Sequence, residues 1–170
     1  MTELTQARIK ELLNYDELTG VFTWVVNRKG RYGKIGHIAG TLAMRGSIHI
    51  MVDGKKRLAH RLAWLYIYGI FPIDMIDHID GNPINNKITN LRECNVSENG
   101  RNRLAQKNNT SGFKGVTWHK TRGKWRSSMM LNRKSIHIGH FDSANQASIA
   151  YEAYTKEIYR EFYRSPNNGL

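Results

Sequence analysis

The chain has 170 residues, of which 40% are hydrophobic, and a formal net charge of +12 at pH 7. This length suits one ordinary domain or two to three small ones. The single cysteine, Cys94, excludes an internal disulfide and any zinc site that needs two or more thiolates. The sequence has no apolar run near the roughly 20 residues of a membrane span and no signal-peptide pattern at its start. We therefore expect a cytoplasmic protein that does not bind membranes.

The positive charge is unevenly distributed along the chain. Residues 1–70 hold 11 Lys and Arg against 5 Asp and Glu, and residues 107–170 hold 11 against 4, whereas residues 71–106 hold 4 against 5. An excess of this size commonly marks a polyanionic partner, and nucleic acid is the natural candidate. A divalent cation bound beside DNA needs local acidity, which the middle segment offers. The total charge alone leaves a simple nucleic-acid binder equally open.

The first segment predicts a small antiparallel sheet with helices. Hydrophobic spacing indicates a helix over residues 3–14 and a strand over residues 20–26. After a basic, glycine-rich loop, the pair Asp53-Gly54 is typical of a hairpin turn. Residues 60–69 then predict a helix that ends at their terminal glycine.

The middle segment predicts strand, turn and short strand between residues 73 and 90, with the turn at residues 81–83. A helix is expected to begin at Asn95, because Glu98 three positions later completes a capping-box pattern. Residues 105–112 are small and polar, as a linker is.

The last segment alternates in hydrophobicity as FKGVTW, GKWRSSMML and KSIHIGHF, which indicates three strands joined by short turns. A helix follows, with Ser143 as its N-cap. We therefore predict an α+β protein of three parts, at residues 1–70, 71–106 and 107–170.

Four polar residues of the middle segment have a spacing that suits phosphodiester hydrolysis: Asp77, His78, Asn90 and Asn99. That reaction needs a base to deprotonate water and a hard cation to stabilise charge on the phosphate. His78 fits the base and Asp77 a metal ligand. The amide oxygen of Asn99 is a second ligand suited to Mg²⁺ or Mn²⁺. Asn90 is better suited to orienting His78 or its loop by hydrogen bonding.

The stretch DHIDGNPINNKITNLR resembles the HNH nuclease motif in its His-Asn-Asn form, as found in phage homing endonucleases. The resemblance covers about residues 72–103 and implies a ββα-metal core. It also implies the same roles: His78 as general base, Asp77 and Asn99 as metal ligands, and Asn90 as a structural residue of the catalytic motif. The last position is often histidine in that family, and asparagine there argues against tight zinc binding. Three nearby arginines are candidate phosphate contacts, namely Arg92, Arg101 and Arg103.

The C-terminal segment resembles the plant ethylene-response-factor type of DNA-binding domain, through FKGV, GKW, IHIGHFDS and AYE. The resemblance implies a three-stranded sheet that lies in the major groove and packs on one helix. The residues that it directs to DNA are Lys114, Thr117, His119, Arg122, Ser128, Met130 and His137. Those that it directs to the helix are Trp125, Ile138 and Phe141. Candidate phosphate contacts are Lys120, Arg126, Arg133 and Lys134.

Together these patterns predict a metal-dependent endonuclease that acts on double-stranded DNA, of the phage homing type. Two alternatives stay open. The first is a sequence-specific DNA-binding regulator with an inactive nuclease core, and the second is an RNA-directed protein, since a basic surface does not distinguish the two nucleic acids. The sequence also leaves monomer and dimer open.

Overall fold

The computed structural model describes residues 3–29, 33–44, 46–96, 98–99, 109–132, 134–160 and 163. These residues form an α+β fold of small antiparallel sheets and helices, as predicted. The chain divides into two compact units, Met1–Asn95 and Val96–Leu170. Within the first unit, residues before and after position 70 contribute to one hydrophobic core.

The first unit begins with a helix, α1 (Gln6–Leu12), and a hairpin of β1 (Leu13–Asp16) and β2 (Val21–Trp24). The helix predicted over residues 3–14 therefore extends too far at its C-terminal end, since α1 ends at Leu12. The chain switches to a strand at Leu13, because alternate side chains of β1 are buried and the strand pairs with β2. Local hydrophobic spacing does not distinguish these two outcomes over so few residues.

A three-stranded sheet follows, built from β3 (Thr41–Leu42), β4 (Ile48–Val52) and β5 (Lys55–Leu58) in the order β3-β4-β5. The predicted turn between β4 and β5 is confirmed, since Asp53 and Gly54 both have positive φ, at 47° and 75°. Two such residues give the backbone twist of a tight hairpin.

Helix α2 (Ala59–Tyr68) ends as predicted at Gly69, which adopts the left-handed conformation with φ 78°. A second hairpin then pairs β6 (Met75–His78) with β7 (Leu91–Cys94). Both hairpin strands contribute to the shared core through Ile76 and Leu91. The other buried members of this core lie between residues 4 and 65: Leu4, Ile9, Leu12, Leu13, Tyr15, Phe22, Trp24, Ala39, Ile50, Val52, Ala59, Leu62, Ala63 and Leu65.

The second unit contains the three strands and the helix that the sequence predicts. The sheet has the order β10-β9-β8, formed by β8 (Val116–His119), β9 (Lys124–Leu131) and β10 (Lys134–Phe141). Helix α3 (Ala144–Tyr159) starts at Ser143, whose side chain accepts a hydrogen bond from the backbone N–H of Gln146. Over the described ranges, none of the helices has the length and apolarity that crossing a bilayer requires.

Candidate active site and DNA-binding surface

The hairpin of β6 and β7 presents the Asp77-His78 pair at the end of its first strand. Asp77 is 6% exposed and His78 is 8% exposed, so both side chains are buried. Neighbouring side chains on a strand point to opposite faces. Asp77 and His78 accordingly have different partners.

Asp77 pairs with Arg92, which lies opposite it in the strand register. Both Nε and Nη2 of Arg92 donate to Oδ2 of Asp77, at 3.1 and 2.8 Å. Only 15% of the Arg92 side chain is exposed. The structure therefore places this arginine, predicted to contact phosphate, against the predicted metal ligand.

His78 contacts Asn86, a residue of the loop between β6 and β7. The Nε2 atom of His78 lies 3.2 Å from Oδ1 of Asn86. Asn86 is 1% exposed, whereas a turn-forming asparagine is normally solvated. Nothing in the local sequence separates Asn86 from its neighbour Asn85, whose side chain instead donates to Asp80.

Asn90 fixes the loop that joins the two strands. Its Nδ2 donates to Oδ1 of Asp80 at 2.9 Å and to the carbonyl of Asn85 at 2.8 Å, and its Oδ1 accepts from the backbone N–H of Asp80 at 3.1 Å. Partial burial opposes ionisation of Asp80, but hydrogen bonds from Asn82, Asn85 and Asn90 outweigh it and lower the pKa of Asp80. Asn90 therefore connects Asp80, at the start of the loop, to Asn85 in its middle.

A second histidine packs on His78. His60, in the first turn of α2, lies edge-on to the His78 ring with the centroids 5.1 Å apart. Its Nδ1 is buried without a hydrogen-bond partner among the described residues. Burial, followed by the charges of His78, Arg61 and His49, lowers the pKa of His60 from 6.5 to about 4. His60 is therefore neutral at physiological pH.

The predicted second metal ligand, Asn99, is half-buried and helical, and belongs to the second unit. In the described part of the chain, no group of three or more His, Cys, Asp or Glu side chains is arranged to hold a metal ion. The arginines at 101 and 103, both predicted DNA contacts, lie outside the described residues, as does Arg133.

The sheet of the second unit has two chemically different faces. One face buries Val116, Ser127 and Met129, and Met129 packs with Tyr151 of α3. Ile138 packs against the same cluster, whereas Trp125 lies edge-on to Trp118 with the ring centroids 5.2 Å apart. This face is the one that packs on the helix.

The opposite face brings together most of the residues that the sequence directed to DNA. Thr117 lies opposite Arg126, and Ser128 lies opposite His137, so the two pairs share a face. Arg122 is exposed in the turn that follows β8. Lys114 is half-buried and lies two residues before β8 begins. We call this side of the sheet the open face.

Three histidines meet on the open face. The His140 ring lies 4.5 Å from that of His137 and 5.2 Å from that of His119, measured between centroids. Partial burial, followed by the charges of His137, Arg122, His119 and Arg126, lowers the pKa of His140. The sequence did not single out His140, because the cluster forms only when the three strands pair.

Two family models match the chain: an HNH endonuclease model over residues 57–101 and an AP2 domain model over residues 111–161. The chain is 37% identical to Protein 3.8 of Escherichia phage T7 over 89 residues, which is 52% of this chain and 73% of that protein. The chain belongs to the HNH endonuclease family. It also contains an AP2-like DNA-binding domain.

A second relative of the chain is an uncharacterized HNH endonuclease of Acanthamoeba polyphaga mimivirus. The two are 31% identical over 115 residues, which is 67% of this chain and 58% of the viral protein. No solved structure matches the chain. The HNH match begins at Arg57, so the family model includes helix α2 and His60 as well as the hairpin. Together the matches support a nuclease and DNA-binding function.

We expect Asn90→Ala to loosen the loop of residues 79–90 and to lower the free energy of unfolding by about 1–2 kcal/mol, since three hydrogen bonds are lost, two of them solvent-exposed and so worth about 0.5 kcal/mol each. Asn82→Ala is the matched control, because the Asn82 side chain accepts a hydrogen bond from the backbone N–H of Ile84 at 3.3 Å. Urea unfolding and amide hydrogen exchange measure the two effects. Equal effects of the two substitutions would contradict the structural role of Asn90.

The lowered pKa of His60 makes stability depend on pH. In the unfolded chain His60 binds a proton below its ordinary pKa of 6.5, whereas in the folded protein it does so only below about 4. Stability therefore falls as the pH drops below 6.5 and this loss levels off below about 4. Between about pH 7.5 and about pH 5, His60 should account for about 2 kcal/mol of the loss. We expect His60→Gln to remove this component and His37→Gln, at an exposed histidine, to retain it, as measured by urea unfolding at both pH values.

Proposed function

We propose that this protein is a metal-dependent endonuclease that hydrolyses phosphodiester bonds of double-stranded DNA, and that it is a homing endonuclease of the phage type. The observation that carries the proposal is the buried Asp77-His78 pair at the end of β6, where His78 is held through one ring nitrogen by Asn86. The family match over residues 57–101 supports the same assignment. The predicted ββα-metal layout is part of this proposal, with β6 and β7 as its two strands.

His78 is the general base in this proposal. A neutral imidazole whose one nitrogen is held by a hydrogen bond keeps the other as a proton acceptor. Burial against His60 fixes the plane of the ring. His78 would take the proton from an attacking water, while Asn90 holds the loop on which Asn86 lies.

The donor set suits a divalent cation. Carboxylate and amide oxygens are the ligands that Mg²⁺ and Mn²⁺ prefer, and Asp77 and Asn99 offer one of each. Since Arg92 occupies Oδ2 of Asp77, a cation at Asp77 would share the carboxylate with this arginine. When bound, such a cation would stabilise negative charge on the phosphate and on the departing oxygen.

The open face of the C-terminal sheet is the proposed DNA-binding surface. It presents Arg122 and Arg126 beside the histidine cluster, and its polar side chains project away from α3. Arginine and histidine side chains can contact phosphate oxygens or base edges. The same proposal assigns residues 71–106 to the nuclease core and residues 107–170 to the DNA-binding module, with residues 1–70 supporting the nuclease hairpin through the shared core.

One observation favours a second candidate, a DNA-binding regulator without nuclease activity. The charge of Asp77 is already compensated by Arg92, so the carboxylate does not need a cation to be stable when buried. Incubation of plasmid DNA with Mg²⁺ or Mn²⁺, with and without chelator, distinguishes the two. Chelator-sensitive cleavage supports the endonuclease, and binding without cleavage supports the regulator.

We expect His78→Ala to reduce the cleavage rate by about 10²–10⁴-fold while DNA affinity stays nearly unchanged, because a general base contributes to the chemical step and not to phosphate contacts. His37→Ala is the matched control, since His37 is an exposed histidine of the same unit. Plasmid cleavage and DNA-binding titrations measure the two quantities. Wild-type cleavage rates in the His78 variant would refute the assignment.

Loss of one positively charged side chain from the open face should weaken both DNA binding and the dependence of that binding on salt. We expect Arg126→Gln to lower the slope of log affinity against log salt by about 0.9, the value for one phosphate contact. Lys156→Gln removes the same charge from an exposed position on α3 and should leave the slope unchanged. Fluorescence anisotropy with labelled duplex DNA across a salt series is the measurement, and equal slopes for the two variants would exclude the open face.

A further inference from the structure

The contact between His78 and Asn86 determines which nitrogen of the imidazole carries the proton. Asn86 donates from Nδ2 to the carbonyl of Ile84 at 3.3 Å, which fixes the direction of its amide. The atom that faces Nε2 of His78 is therefore the amide oxygen, at 3.2 Å. An amide oxygen only accepts hydrogen bonds. A neutral His78 must consequently donate from Nε2 and retain its lone pair on Nδ1.

Asn86 is itself held by a residue far away in the sequence. The hydroxyl of Tyr15, in β1, donates to the backbone carbonyl of Asn86 at 2.7 Å in a buried contact. The Tyr15 ring packs at 4.8 Å from Phe22 and 5.7 Å from Tyr66, between centroids, and a phenylalanine could supply that packing equally well. The hydroxyl is what reaches Asn86. Burial raises the pKa of Tyr15 to about 12, so it remains a donor at physiological pH.

A glycine also lets the backbone of the first hairpin lie close to the backbone of residues 86 and 87. Gly20, in the turn between β1 and β2, has φ +73°, and a Cβ there would clash with the backbone of Asn86 and Lys87. The first hairpin of the chain therefore contacts the backbone of Asn86 in two places, through Tyr15 and through Gly20. Both contacts lie at the residue that orients His78.

We propose that Asn86 is a positioning residue that sets the Nε2-protonated tautomer of His78, and that Tyr15 holds Asn86 in place for this purpose. The inference rests on the proposed function in one respect, the role of His78 as general base. It adds that the N-terminal hairpin, although remote in sequence, controls which nitrogen of that base can accept a proton.

The tautomer is directly observable by long-range ¹H–¹⁵N correlation spectra of the histidine side chains in the full-length protein, with the His78 signals identified by their absence in His78→Ala. We expect the Nε2-protonated pattern for His78 in the wild type and a mixture of tautomers in Asn86→Ala. Asn85→Ala is the matched control, because the neighbouring asparagine donates to Asp80 and should leave the His78 tautomer unchanged. A wild-type pattern in Asn86→Ala would overturn the proposal.

Single-turnover cleavage of plasmid DNA gives the second readout. We expect Asn86→Ala to lower the cleavage rate by about 10- to 100-fold, as is usual for partners that fix a histidine tautomer, with little change in DNA affinity. Tyr15→Phe retains the packing, so it tests the same chain of contacts if Asn86→Ala does not fold. It should give a smaller rate loss together with a detectable second tautomer. Unchanged rate and tautomer in Tyr15→Phe would exclude the role of the hydroxyl.

The two readouts separate this inference from the proposed function. If the wild type does not cleave DNA, the endonuclease proposal fails, while the ¹⁵N spectra still decide whether Asn86 sets the tautomer. If the wild type cleaves and Asn86→Ala cleaves equally well with the same tautomer, the endonuclease proposal stands and the positioning role is refuted.

Discussion

The central constraint on this molecule is that the hairpin of β6 and β7 is too small to be stable alone. Each strand has four residues, and an isolated two-stranded hairpin is at best marginally stable in water. Ile76 and Leu91 anchor the hairpin on a core built almost entirely from earlier elements. Burial of apolar surface in that core is therefore what holds Asp77 and His78 in a fixed position. This explains why the first 70 residues and the hairpin form one compact unit.

Hydrogen bonds between polar groups then fix the conformation of the loop between β6 and β7. The loop between the two strands is rich in asparagine, and the asparagine side chains add to the backbone hydrogen bonds of its turns. Asn90 ties the end of the loop to Asp80 at its beginning, and Asn86 connects the middle of the loop to His78. The His78–Asn86 contact is buried, and such a contact is costly to break because the remaining group stays desolvated without a partner. We infer that the precision of the site depends on the asparagines more than on the short strands.

In the second unit, the alternation of side chains along the strands separates the residues that pack on the helix from those on the open face. Successive side chains of β9 face the helix and the open face in turn, so Met129 is buried while Arg126 and Met130 are exposed. A register shift between His137 and Gly139 of β10 places His140 on the same face as His137, and pairing of the three strands adds His119 to the cluster. A stable sheet-on-helix core and an exposed polar surface thus arise from one pattern.

Several features of the protein follow from the sequence alone. The turn at Asp53-Gly54, the end of α2 at Gly69 and the cap at Ser143 were predictable, because each depends on the conformational preference of one or two residues. The three C-terminal strands follow from alternation, and the family follows from the spacing of the HNH motif together with the AP2-like segment.

The tertiary structure decided what depends on residues distant in the chain. The switch from α1 to β1 at Leu13 follows from pairing with β2, and the joining of residues 1–70 with the hairpin follows from a shared core. The pairing of Arg92 with Asp77 depends on strand register, and the choice of Asn86 over Asn85 as the partner of His78 depends on how the loop is folded. Motif spacing determines which side chains are available for the chemistry. Only packing determines their hydrogen-bond partners, because those partners come from residues that the local sequence does not bring together.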